Sequence, residues 1–147
     1  MRLKSMAVAT VVATLPGLAV AQDMCGQMRE LGQHARNGFQ AIDGGPSRPG
    51  SNSHKTSLAL PGSSECYISH SRSVDYWCTW TLPPAAVAQR TMIFGGQIGA
   101  CFGVQPEWER DGNSISTFIE TDGIDYYILG EVGSDGGEIS LSVAVDD

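Results

Sequence analysis

Four cysteines, three histidines and sixteen carboxylates are the residues of this 147-residue chain best equipped for chemistry. The cysteines are Cys25, Cys66, Cys78 and Cys101. None stand as C-x-x-C, so a dithiol redox centre is not expected. Cys66-x3-His70 with Cys78 offers zinc-type donors, but oxidised cysteines cannot ligate a metal. An acyl-transfer enzyme needs a nucleophile beside a base. Gly62-Ser63-Ser64 lacks the second glycine of a nucleophile elbow. His34 lies among polar residues on an expected helix, His54 ends a Gly/Pro/Ser-rich stretch and His70 sits at a hairpin tip. All three read as solvent-facing side chains rather than bases. The carboxylates crowd the C-terminal end, and Asp122, Asp125, Asp135 and Glu138 flank turns, where acids need no further role. No D-x-D-x-D-G calcium loop and no phosphate-binding glycine loop is present. No catalytic residue, metal ligand or cofactor is assigned, and catalysis is not the expected role.

The compartment follows from the first residues. Arg2 and Lys4 precede an apolar run from Met6 to Leu15, Pro16-Gly17 breaks it, and Ala19-Val20-Ala21 forms an A-x-A cleavage site. Residues 1–21 therefore read as a cleaved export signal, with a mature chain from Gln22. All four cysteines follow the cut, which predicts disulfides in the periplasm or outside the cell. The apolar run is shorter than the roughly 20 residues a membrane span needs. Gln22-Asp23-Met24 before Cys25 does not fit a lipidation site. No membrane anchor is expected.

Charge narrows the partner. The whole chain carries nine basic and sixteen acidic residues. Without Arg2 and Lys4 the mature net charge is 7 − 16 = −9. Residues 107–147 hold eleven of the acids against Arg110 alone, a net of −10. Such a surface disfavours nucleic acid and suits a basic protein or a cation.

The elements that must position these residues are legible by period. Met24 to Phe39 reads as a helix with Asp23 as N-cap and Asn37-Gly38 as stop. Residues 43–54 read as a flexible loop without periodicity. Lys55 to Leu60 reads as a strand ended by Pro61-Gly62. Glu65 to Leu82 folds about Arg72 into a hairpin that pairs Cys66 with Cys78, Tyr67 with Trp77 and Ile68 with Tyr76. Pro83-Pro84 opens a second helix to about Phe102. Gly95, Gly96 and Gly99 within it should let the first helix or the sheet approach closely. Three strands follow, at 114–120, 125–131 and 138–145, with Asp122-Gly123 and Ser134 to Gly137 as hairpin turns. The expected fold is α+β, in the order α-β-β-β-α-β-β-β, with two helices on an antiparallel sheet and residues 22–147 as a single domain. The two halves share the order helix then strands without a residue-level repeat.

The hairpin register favours a Cys66–Cys78 disulfide. Cys25 and Cys101 lie on the apolar stripes of the two helices and form the second pair. Closing the shorter loop should contribute roughly 3 kcal/mol through the unfolded chain. The expected function is that of an exported, disulfide-stabilised binding protein, inhibitor-like or immunity-like, recognising another protein or an envelope component. Its contact residues are expected on the hairpin, at Tyr67, His70, Arg72 and Trp77. An exported hydrolase with a hidden site, or a structural subunit of an envelope assembly, are the alternatives.

Overall fold

A computed structural model describes residues 16–146, with side chains from residue 23 onward. Helix α1 (Pro16–Arg36) is followed by strands β1 (Asp43–Pro46), β2 (Ser53–Thr56), β3 (Glu65–His70) and β4 (Val74–Leu82). A 3-10 turn at Pro84–Ala86 leads into α2 (Val87–Phe102). Strands β5 (Glu109–Asp111), β6 (Ser114–Thr121), β7 (Ile124–Gly133) and β8 (Gly136–Val145) complete the chain. The expected signal over residues 1–21 falls outside the described residues up to residue 15.

The eight strands form one antiparallel sheet in the order β1-β2-β3-β4-β8-β7-β6-β5. Each half of the chain is thus a helix followed by a four-stranded meander, and the last strands of the two meanders pair at the centre. Tyr76 lies opposite Val143, Cys78 opposite Leu141 and Trp80 opposite Ile139. The α+β class, the two helices and both disulfides match expectation; the sheet has eight strands rather than six. The added strands, β1 (sequence DGGP) and β5 (ERD), are short edge strands without a β-branched residue. Residues 43–54, expected as loop, contain β1 and the start of β2, paired through Asp43 opposite Thr56. Strand β2 accordingly lies earlier than the expected 55–60.

Helix α1 begins before Asp23, so Asp23 is an interior residue and not a cap. Leu18 to Gln22 are helix-permissive residues, and Pro16 stands at the first helical position, where its missing N–H costs nothing. The helix ends at Arg36, directly before the Asn37-Gly38 stop and short of the expected Phe39. Gly38 and Phe39 both take positive φ, 59° and 58°, turning the chain towards β1. Phe39 is therefore outside the helix yet fully buried.

Alternation along the strands puts one face of the sheet under both helices. Met28 and Leu31 of α1 and Ile98 of α2 pack on Ile68, Tyr76, Ile128, Leu141 and Val143. Of the α2 glycines, Gly95 meets the sheet as expected, a Cβ there lying 3.3 Å from Thr117 of β6, but the tightest neighbours are elsewhere. A Cβ on Gly95 would sit 2.6 Å from the Trp108 ring, and one on Gly99 would meet Val104 and Pro106. The segment between α2 and β5 folds back onto these positions, whereas Gly96 faces open space. The disulfides Cys25–Cys101 and Cys66–Cys78, with Cα atoms 5.2 and 4.1 Å apart, join helix to helix and β3 to β4. No helix among the described residues is long and apolar enough to cross a membrane.

Two buried phenols tie this core to main chain. Tyr126 donates to the Met28 carbonyl at 2.7 Å and Tyr76 to the Leu58 carbonyl at 2.9 Å. Burial pushes the Tyr126 hydroxyl up to about 12 and raises Tyr76 further. A group whose folded pKa is raised stabilises fully below its unfolded value, here 10.0, and loses that contribution as pH climbs through the folded value. Unfolding free energy should therefore fall between about pH 10 and about 12. Urea titrations of wild type and Tyr126→Phe will check this. The variant should lose about 1 kcal/mol at neutral pH and show a smaller alkaline decline.

Candidate functional site

The face of the sheet opposite the helices is assembled by four strand registers. Tyr67 lies opposite Trp77, Trp77 opposite Ser142, Ser142 opposite Tyr127, and Tyr127 opposite Phe118. Directly opposed residues share a face, so these five side chains form one row over β3, β4, β8, β7 and β6. At about 4.8 Å per strand the row is about 19 Å long. Tyr67 and Trp77 are near-parallel, with ring centroids 6.5 Å apart. Phe118 and Tyr127 are stacked at 4.4 Å. Ser142 lies between the two pairs and is almost fully covered, as is Ser140 on the same strand. The row is therefore two aromatic ridges with a small-residue trough between them.

These rings are outside the core formed with the helices. Tyr67, Trp77 and Tyr127 are half-buried, and Phe118 is 62% exposed. An apolar ring that exposed on a strand gains little from folding and is available for a contact.

Acids border the row on both sides. Glu131 is paired with Glu138 on one side, and Glu120 with Asp125 on the other. Like charges directly opposite one another destabilise a sheet. Lys55, opposite Tyr67, is the one basic strand residue on this face among the described residues. The field is felt by neighbouring groups. Burial first, and then the charges of Glu65, Glu138 and Asp75, raise the Tyr67 phenol. Burial first, and then Asp146 and Glu120, raise the Asp125 carboxyl. The face is an apolar row set in a negative potential.

The hairpin register is as expected, with Tyr67 opposite Trp77 and Cys66 opposite Cys78. The other two expected contact residues part company. Arg72 is exposed at the turn, whereas His70 is drawn to the sheet edge. There His70 Nε2 lies 2.7 Å from Asp43 Oδ2, and His54 Nδ1 lies 2.8 Å from Asp43 Oδ1. His54 and His70 are thus half-buried partners of one carboxylate and not the free surface side chains their sequence positions suggest. The backbone N–H of Gly45 also donates to Asp43, at 2.8 Å. Burial works to raise the Asp43 carboxyl, but the bonds from Gly45, His54 and His70 outweigh it and hold the group below its ordinary value. His34 stands apart, 3.6 Å from Glu30.

Sequence reasoning missed Tyr127 and Phe118. Period-2 alternation puts them on the face opposite Tyr126 and Ile119, a signal the strand pattern carries. What placed them in line with Trp77 is the β4–β8 pairing, to which no local signal points.

A groove of about 600 Å³ opens between the Asp23, Met24 and Gln27 face of α1, the Leu60-Pro61 segment and α2. Met24, Leu60, Trp80, Leu82, Ile93 and Phe94 make its wall mainly apolar. Among the described residues, its lining holds no histidine or serine. No protein-family model, curated protein or solved structure matches the chain.

The opposed acids give a direct stability test. Glu131→Lys turns a repulsive cross-strand pair with Glu138 into an attractive one. It should stabilise the fold by about 0.5–1 kcal/mol, less at high salt. Thermal melts in low and high salt will measure it.

Proposed function

We propose that this chain is an exported binding protein without catalysis, and that its helix-free face docks a basic protein. The observation that carries this reading is the aromatic row between two like-charge pairs. Rigid aromatic side chains supply large contact area with little rotamer entropy to lose. The acids are arranged against the stability of the sheet, and a cationic partner would relieve that repulsion. An aromatic centre with a charged rim is also the common anatomy of protein interfaces. The A-x-A site and the two disulfides support a periplasmic or extracellular setting. An inhibitor-like or immunity-like role fits a preorganised surface, because a disulfide-tied hairpin loses little further freedom on association.

The test is affinity capture of basic proteins from envelope extract on immobilised wild type, Trp77→Ala and Phe118→Ala, followed by kinetics on the purified partner. Each substitution should weaken binding by about 2 kcal/mol or more if it removes a hot spot. Phe118→Ala should leave the melting temperature nearly unchanged, because that ring is exposed. Glu131→Lys should weaken binding while stabilising the fold. Raising salt should slow association far more than it speeds dissociation. Unchanged affinity in both aromatic variants, with the fold intact, would remove the interface from this face.

A further inference from the structure

Asp43, His54 and His70 come from three successive strands at one edge of the sheet, and their donor atoms all lie within 4.8 Å of one another. We propose that they form a binding site for a borderline divalent cation of the zinc type, independent of the docking face. The donor chemistry carries the proposal. One carboxylate and two imidazoles suit zinc and its transition-metal neighbours, whereas calcium and magnesium prefer all-oxygen shells. With neutral imidazoles the set has a net charge of −1, complementary to a dication.

The geometry is close to what coordination needs. His54 Nδ1 lies 2.8 and 3.0 Å from the two Asp43 oxygens, and His70 Nε2 lies 2.7 Å from Oδ2. The imidazole centroids are 4.0 Å apart. Metal–ligand bonds of about 2.0–2.2 Å in a tetrahedron put donors about 3.3 Å apart. Admitting the ion would part each histidine nitrogen from its carboxylate oxygen by about 0.5–0.6 Å, from the present 2.8 and 2.7 Å. The three side chains are 17–30% exposed, so the ion has access from solvent.

In the hydrogen-bonded form, His54 carries its proton on Nδ1 and His70 on Nε2, each donated to Asp43. Binding replaces both protons by the ion. Each neutral imidazole moves its proton to the other ring nitrogen, and a protonated imidazole also releases one to solvent. The Gly45 N–H on Oδ1 orients the carboxylate in the way outer partners orient metal ligands. Three protein ligands leave a fourth position for water or for a donor from another molecule. The ion would also staple β1 and β2 to β3.

The experiment uses the untagged chain, stripped with chelator, and zinc alone as the probe. Isothermal titration should give one saturable site per chain. In the wild type, nitrogen-15 spectra of the imidazoles should shift for His54 and His70 and not for His34. His54→Ala, His70→Ala and Asp43→Asn should each weaken binding by more than the ~10–100-fold typical of losing an outer-shell partner. His34→Ala and Asp125→Asn should bind as wild type. No saturable binding by the folded wild type would overturn the proposal. So would zinc that shifts neither His54 nor His70, a readout that needs no variant to fold. Binding that survives His70→Ala and is lost in Asp125→Asn would move the ion to the acidic group Glu120, Asp125 and Asp146.

Discussion

The pairing of β4 with β8 is the constraint on which the molecule depends. It joins two separate meanders into one sheet and gives both helices a common surface. Tyr76 and Cys78 meet Val143 and Leu141 under the helices, and the same register sets Trp77 beside Ser142 on the other side. A slip of one residue would send both sets to the wrong faces. The Cys25–Cys101 bond between α1 and α2 acts on the same junction from above, because each helix belongs to a different half. The core and the aromatic row are thus two consequences of one register.

The two faces carry opposite economies. Beneath the helices, Met28, Leu31, Phe39, Ile68, Tyr76, Ile98, Tyr126 and Leu141 are fully covered and the buried phenols find carbonyls. Across the helix-free face, aromatic rings remain partly wet and acids oppose acids. Folding alone gives no reason for the second arrangement, which binding would explain.

Local chemistry in the chain announced much of this. Cys66, Ile68, Tyr76 and Cys78 alternate about a polar turn, so the hairpin and one disulfide could be derived. The second disulfide followed from two helical stripes, and Asp122-Gly123 supplied the positive φ its turn needs. What stayed hidden depends on contacts distant in sequence or on strands without pattern. Trp77 meets Ser142 across 65 residues, and no local rule sets that distance. Strand β1 is DGGP, which reads as loop, and its formation alone brings Asp43 to His54 and His70. The histidines looked like surface residues because their partner came from a segment that looked unstructured. The Asp43-Gly44-Gly45 turn, with its side chain bonded to the Gly45 N–H, was the one available hint.

The central claim is that the helix-free face, and not the helix layer, meets the partner. A photo-crosslinking amino acid placed at Phe118, and in a separate variant at the exposed Met92 of α2, tests it in cells that produce the chain. An adduct with a basic protein is expected from position 118 and none from position 92. An adduct from 92 alone, or an acidic partner captured at 118, would contradict it.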